Sequence, residues 1–240
     1  SVPPAPSPGP TGRHPDGCRK LVGEDARPLA QSTQRGQASY DVSVQDRGPV
    51  PGGREPIAII GISGRFPGAE DLDTFWENLA AGRDLITEIP SERWPMDGFF
   101  EPDIEAAVAG GKSYAKWGGF LDDFAGFDPL FFKISPRDAA AMDPQERLFL
   151  MVAWAACEDA GYSRSRLAAR CGARVGVFAG VTKTGFALHG AFVSDSGALV
   201  RPTTSFASIA NRVSYVMDLS GPSLPIDTMC SSSLTAVHEA

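Results

Sequence analysis

Short apolar runs alternate with amphipathic segments through residues 55–240, and this alternation limits the fold more than any other feature of the chain. The apolar runs are rich in β-branched residues and lack polar alternation, which is typical of strands covered on both faces. The amphipathic segments place apolar residues at helical spacing, as Leu72, Phe75 and Leu79 do. Strands that alternate with helices predict a layered α/β fold. The predicted strands are residues 57–62, 174–181 and 223–229, the predicted helices are residues 72–81, 143–161, 205–217 and 231–240, and residues 95–135 are predicted to be mostly irregular.

The first 54 residues differ in composition from the rest of the chain. They contain nine Pro and eight Gly, and Tyr40 is their only aromatic residue. A segment with so few large apolar side chains cannot bury enough surface to offset the conformational entropy that folding removes. We therefore predict a disordered Pro/Gly-rich linker at residues 1–54 and a folded domain at residues 55–240. A linker that only tethers is the simplest interpretation of the first segment, and a docking element is the alternative.

Charge, apolar run length and cysteine spacing exclude several classes of protein. The net charge of −7 argues against a nucleic-acid binder that relies on a basic surface. The longest apolar run, residues 148–157, is about half as long as a membrane span requires. The four cysteines form no CxxC pair and the acidic clusters lack the spacing of metal ligands, so we predict neither a disulfide framework nor a metal site. Without a signal-peptide pattern, the chain is expected to be cytoplasmic.

The start of the helix at residues 143–161 is marked by its own sequence. Asp143 is a residue type that caps helices, and Pro144 suits the first helical position. Glu146 stands three residues after Asp143, which is the spacing of a capping box. We therefore predict that Glu146 closes the cap.

Cys230 stands where a short apolar strand meets the start of a helix, within the stretch Asp-Thr-Met-Cys-Ser-Ser-Ser at residues 227–233. At such a corner the free N–H groups and the positive end of the helix surround the sulfur. Both favour the thiolate, which is the nucleophilic form of cysteine. The N–H of Cys230 is also placed to donate to the oxyanion of a carbonyl under attack. The alternative is a small buried core residue, a description that suits Cys157, inside an apolar helix, better.

The three histidines offer no clear base for this cysteine. His14 lies in the predicted linker, and His189 lies in a Gly-rich loop. His238 is eight residues past Cys230 on the same predicted helix, a rise of about 12 Å that is too long for a hydrogen bond. A cysteine protease or hydrolase would need such a partner, so that interpretation is weaker.

The stretch at residues 227–233 resembles the active-site motif of the β-ketoacyl synthases, in particular the ketosynthase domains of bacterial modular type I polyketide synthases. Further stretches match that family in the same order, so the resemblance spans residues 55–240. Met229 and Lys133 occupy positions that are often Ala and Gly in the family, which favours the subgroup that works with a separate acyltransferase. The other matching stretches are Glu-Pro-Ile-Ala-Ile-Ile-Gly and Gly-Arg-Phe-Pro-Gly within 55–68, Phe-Asp through Ile-Ser-Pro-Arg at 127–137, Met-Asp-Pro-Gln-Glu-Arg at 142–147, Glu-Asp-Ala-Gly-Tyr at 158–162 and Ala-Asn-Arg-Val-Ser-Tyr at 210–215.

The resemblance implies a fold, a reaction and partners. The fold is thiolase-like, with two similar halves stacked as α-β-α-β-α layers, of which this chain covers the first half only. Cys230 is implied as the catalytic nucleophile, which takes a growing acyl chain from the phosphopantetheine arm of an acyl carrier protein. A malonyl-type extender on another carrier then loses carbon dioxide and attacks the acyl thioester. The domain is expected to bind no cofactor or metal of its own, and family members are usually homodimers.

Two histidines from the second half carry out decarboxylation and condensation in this family, so residues 55–240 alone are expected to lack condensing activity. Two alternatives stay open. One is a non-elongating ketosynthase that only transfers the acyl chain, and it would share every residue of this sequence. The other is a scaffold or docking piece of a multifunctional synthase. Replacement of one of the two histidines of the second half would favour the non-elongating ketosynthase. Binding of a carrier protein to residues 1–54 alone would favour the scaffold or docking piece.

Overall fold

A computed structural model of the chain describes residues 57–193, 197 and 199–240. The predicted linker at residues 1–54 lies outside the described residues. The helices are α1 (Leu72–Ala80), α2 (Ile104–Gly110), α3 (Pro136–Ala141), α4 (Pro144–Asp159), α5 (Arg164–Cys171), α6 (Phe206–Met217) and α7 (Ser232–Glu239), and 3₁₀ turns cover Gly185–His189 and Met229–Ser231. The strands are β1 (Thr87–Glu88), β2 (Trp117–Gly118), β3 (Val177–Gly180), β4 (Phe192–Val193), β5 (Leu199–Val200) and β6 (Ser223–Ile226).

The parallel pair β3–β6 is the sheet that positions the candidate site. Val177 pairs with Ser223 and Gly180 pairs with Ile226, so the two strands end at the same edge. Parallel strands need a long crossover connection, and α6 lies within the one that joins β3 to β6. The pairs β1–β2 and β4–β5 are short and antiparallel. The parallel pair with its crossover helix agrees with the α/β layering that the sequence predicts.

The apolar core is built around α4, α6 and the β3–β6 pair. Ile209, Val213 and Met217 recur every four residues along α6, which places them on one face of the helix, and all three are buried. Leu150 of α4 and Ala179 of β3 belong to the same buried cluster. The helix predicted at residues 205–217 is therefore confirmed as α6. The strand predicted at residues 174–181 is confirmed as the shorter β3.

The start of α4 forms as predicted, but Glu146 has a different function. The Asp143 side chain accepts a hydrogen bond from the backbone N–H of Gln145 at 2.9 Å, and Pro144 occupies the first helical turn. The backbone N–H of Asp143 donates to the hydroxyl of Thr204 at 2.6 Å rather than to Glu146. The predicted capping box is therefore wrong. The Glu146 carboxylate is buried, and a buried charge needs strong donors, which it finds on α6 and in the loop before it.

The predicted strand at residues 57–62 does not form. Ile57 and Ile59 are 92% and 87% exposed, and β3 pairs with β6 alone among the described strands. The segment instead reaches the end of α4, where the N–H of Ile62 donates to Asp159 Oδ2 at 3.0 Å. A strand is stabilised by the neighbours with which it pairs, and no described strand pairs with this one.

The three helices that the sequence did not reveal are short, although the equally short α7 was predicted. The helices α2, α3 and α5 have seven, six and eight residues, and such short segments show little apolar periodicity. The helix α2 therefore interrupts a stretch that was predicted to be irregular. The 16 residues of α4 make a clear pattern. Within the described part of the chain, no helix has both the length and the apolar character needed to cross a membrane.

Candidate active site

Cys230 lies on the 3₁₀ turn that joins β6 to α7. The strand ends at Ile226, earlier than predicted, and the turn Met229–Ser231 leads directly into the helix. Cys230 is exposed and forms no disulfide. We call residues 227–233 the nucleophile turn, after the role that the family resemblance implies for Cys230. Cys230 is thus exposed at a strand-to-helix corner, which is where the sequence places it.

The polar residues of the nucleophile turn hold its backbone in place. Asp227 Oδ1 accepts from the N–H of Met229 at 3.0 Å. The Ser232 hydroxyl accepts from the N–H of Thr228 at 3.0 Å and donates to the carbonyl of Met229 at 2.7 Å. The Ser231 hydroxyl donates to the carbonyl of Thr228 at 2.9 Å. These side chains therefore shape the turn, a function that the sequence motif alone does not reveal.

Met229 carries backbone strain directly before Cys230. Its φ of 58° lies in the left-handed region, which costs a residue with a Cβ about 1–2 kcal/mol. Its side chain is 63% exposed, so little burial offsets that cost. Such strain persists where surrounding contacts hold the backbone, and it clusters at functional sites. Lys133 also has a positive φ, of 56°, which is the conformation that glycine adopts most easily.

Gly180 allows the end of β3 to approach the start of α7 closely. A Cβ on this residue would lie 3.0 Å from the backbone of Ser232 and Ser233. Together with the pairing of Gly180 and Ile226, this contact joins β3, β6 and α7. The nucleophile turn therefore starts and ends on elements that are packed against each other.

Two cavities open in the part of the domain that surrounds α4. The larger, of about 580 Å³, lies between the loop at Gly64, the apolar side of α4 around Phe149, and Ser233 of α7. The smaller, of about 380 Å³, lies at the C-terminal end of α4 beside Cys157. Cys230 is exposed and lines neither of these two cavities.

The family of β-ketoacyl synthase N-terminal domains matches residues 54–240, which include the whole strand, turn and helix around Cys230. The chain belongs to this family. The match begins close to residue 55, where the sequence predicts that the folded domain starts. The resemblance on which the sequence prediction rested is therefore confirmed.

Relatives of this ketosynthase chain are bacterial polyketide synthases. Polyketide synthase ThaG of Burkholderia thailandensis is 56% identical over 186 residues, and polyketide synthase PksL of Bacillus subtilis is 52% identical over 190 residues. Each match covers 78% of this chain but only 3% and 4% of the two relatives. The chain therefore corresponds to a small part of each of these large proteins.

A solved ketosynthase structure has a similar fold. The oxazolomycin ketosynthase domain OzmH KS7 of Streptomyces albus gives a TM-score of 0.66 at 47% sequence identity. The similarity covers 76% of this chain and 31% of that chain. The predicted thiolase-like α/β fold is thereby confirmed for the N-terminal part of a ketosynthase domain.

One histidine of this ketosynthase chain lies on the helix that follows Cys230. His238 is exposed near the C-terminal end of α7, whereas Cys230 precedes its N-terminal end. The two residues therefore lie at opposite ends of α7. The side chain of His189 and all of His14 lie outside what the structure describes.

Cys157 has surroundings unlike those of Cys230. It is half-buried in α4 and packs against the apolar core. Burial raises the pKa of the Cys157 thiol, and the neighbouring Glu158 carboxylate raises it further. A raised pKa lowers the fraction of thiolate at neutral pH. Cys157 is thus part of the packed domain, as predicted.

Glu146 is the residue whose importance sequence reasoning missed. Its carboxylate is 1% exposed and accepts hydrogen bonds from the Thr204 hydroxyl at 2.8 Å and the Ser208 hydroxyl at 3.0 Å. It also accepts from Arg212 Nε at 2.8 Å. We call these four side chains the Glu146 network. It joins the start of α4 to α6, and the signal that could have revealed it is a pair of opposite charges inside two apolar helices.

Proposed function

We propose that this chain is the nucleophile-bearing part of a ketosynthase that extends polyketide chains. Cys230 takes an acyl chain from the phosphopantetheine thiol of an acyl carrier protein. A malonyl-type extender on another carrier then condenses with that acyl group. The protein is thus an acyltransferase that forms carbon–carbon bonds, and the part of its active site within this chain is incomplete without the histidines of the second half.

The observation that carries the proposal is the placement of Cys230. Covalent catalysis of acyl transfer needs a nucleophile that a thioester carbonyl can reach, held in a preset position. Cys230 is exposed, and hydrogen bonds that Asp227 accepts and Ser232 donates hold the backbone of Met229 directly before it. The left-handed conformation of Met229 supports the same conclusion, because strain of this kind persists where the surroundings over-determine the backbone.

The proposed reaction has two steps. In the first, the Cys230 thiolate attacks the carbonyl carbon of the carrier thioester, a new carbon–sulfur bond forms, and the carrier thiolate leaves and takes up a proton. In the second, the extender carboxylate leaves as carbon dioxide, and the carbon left behind attacks the acyl group on Cys230. The bond to the Cys230 sulfur then breaks and the thiolate is regenerated.

The partners of this reaction follow from its chemistry. Acyl carrier proteins deliver both thioesters on their phosphopantetheine arms, and the ketosynthase itself uses no bound cofactor. A homodimer and a separate acyltransferase are further parts of the proposal. They rest on the family resemblance and, for the acyltransferase, on the residues at Met229 and Lys133. We propose the cytoplasm as the compartment, since the cysteine spacing calls for no oxidising environment.

Intact-mass spectrometry after incubation with a small acyl thioester tests the proposal. The wild-type protein should gain one acyl group, and Cys230→Ala should abolish that gain. Cys157→Ala is the matched control, because it removes a half-buried thiol outside the proposed site and should leave acylation unchanged. Acylation of the Cys230→Ala protein at the wild-type rate would show that the nucleophile is another residue.

A further inference from the structure

The loop that follows β3 borders the nucleophile turn. The N–H of Val181 donates to the carbonyl of Ile226 at 3.0 Å, where β6 ends. The Thr182 hydroxyl lies 3.5 Å from the carbonyl oxygen of Met229, the residue before Cys230. We call residues 181–184 the β3 loop. Its position therefore affects the turn that presents the thiol.

Gln145 anchors the far side of the β3 loop. Its side-chain Nε2 donates to the carbonyl of Lys183 at 2.8 Å. Lys183 is exposed and Thr182 is only partly buried, so little packing holds this part of the loop. The hydrogen bond from Gln145 therefore contributes strongly to where the exposed part of the β3 loop lies.

Gln145 is itself held by buried groups. Its backbone N–H donates to Asp143 Oδ1 at 2.9 Å, and Asp143 is 3% exposed. The N–H of Asp143 donates to the Thr204 hydroxyl at 2.6 Å, and that hydroxyl donates to Glu146 Oε2 at 2.8 Å. Gln145 is thus linked by hydrogen bonds, through Asp143, to the Glu146 network. The members of that network move only if buried hydrogen bonds break.

We propose that Gln145 is a positioning residue for Cys230, acting through the Lys183 carbonyl and the β3 loop. Without the Nε2 donor, the Lys183 carbonyl is left to water and the β3 loop moves away from Met229. The strained Met229 backbone then relaxes, and the thiol shifts from its place at the start of α7. The catalytic role of Gln145 rests on the proposed function, whereas the hydrogen bonds from which it is inferred are independent of that function.

Two substitutions of Gln145 separate positioning from a merely structural role. Gln145→Met has a similar length but no donor, and Gln145→Lys keeps a donor at the end of a flexible chain. One neutral hydrogen bond contributes about 1 kcal/mol, so we expect Gln145→Met to slow acylation of Cys230 by a small acyl thioester about three- to fivefold. Gln145→Lys should restore most of the wild-type rate. Alkylation of Cys157 by iodoacetamide should be unchanged in both variants.

The outcomes distinguish failure of this inference from failure of the proposed function. Equal rates in the wild type and both variants overturn the positioning role of Gln145, and so does an equal loss in Gln145→Met and Gln145→Lys. If the wild type is not acylated at Cys230, the proposed function fails. The iodoacetamide alkylation rates of Cys230 in the same three proteins then decide the positioning role, with Gln145→Met expected to be the slowest.

Discussion

The Glu146 network and the nucleophile turn use similar side chains, but their carboxylates lie in opposite surroundings. Each combines a carboxylate with Ser and Thr hydroxyls. The Glu146 carboxylate is 1% exposed and joins two helices. Asp227 is exposed and accepts from a backbone N–H two residues away, although Ser232 of the same turn is buried. The buried carboxylate therefore stabilises the packing of helices, whereas the exposed one shapes a local turn.

The largest expected effect is on stability, and it comes from Glu146→Gln, which replaces the buried carboxylate. The substitution leaves the Arg212 cation without its carboxylate. We expect the free energy of unfolding to fall by about 3 kcal/mol, the lower end for a broken buried pair, because Arg212 is partly exposed. Urea denaturation measures this change. Glu77→Gln, on the exposed side of α1, is the matched control and should change stability by less than about 0.5 kcal/mol.

Equal losses in those two variants would contradict the special position of Glu146. Such a result would mean that the three donors to its carboxylate find other partners at no cost. The comparison between the two regions would then rest on exposure alone.

Chemical labelling compares the half-buried thiol of Cys157 with the exposed Cys230. At neutral pH, iodoacetamide should alkylate Cys230 at least about tenfold faster than Cys157, because the Cys157 thiol is half-buried and burial raises its pKa. A raised pKa means that the Cys157 thiolate forms only at higher pH. The rate of alkylation at Cys157 should therefore increase as the pH rises above the pKa of an ordinary thiol. Peptide mass spectrometry measures both rates, and similar rates at neutral pH would contradict the contrast.

The smallest expected effect is on the stability of the exposed turn. Ser232→Ala removes the hydroxyl that bonds both Thr228 and Met229, and we expect a loss of about 1 kcal/mol in urea denaturation. Acylation of Cys230 should fall several-fold, because the backbone before the thiol is less well held. Ser91→Ala, which changes an exposed serine far from the turn in sequence, should affect neither quantity. A loss of stability as large as that of Glu146→Gln would remove the distinction between the two regions.

Clear apolar patterns predicted secondary structure well, whereas several short helices and one unpaired segment were not predicted correctly. The helix α6 was predictable because its apolar residues follow a regular period, and the strand β3 because it lies in an apolar, β-branched run. The helices α2, α3 and α5 are short and show little apolar periodicity. Residues 57–62 have the composition of a strand, but a strand also needs a neighbour, and composition does not reveal whether one is paired.

The candidate site was predictable at Cys230 and less so around it. The motif and the change from strand to helix are local, so they can be read from consecutive residues. The contact between Gln145 and Lys183 spans 38 positions of the chain. No local pattern encodes such a contact, and the structure was required to find it.

By itself, the sequence determined the family of this chain and the placement of Cys230 between a strand and a helix, because both depend on neighbouring residues. Only the tertiary structure decided which polar side chains are buried. The donors to Glu146 are 58, 62 and 66 positions away from it. Burial is a property of contacts between such distant segments, and these contacts exist only once α4 and α6 have packed together.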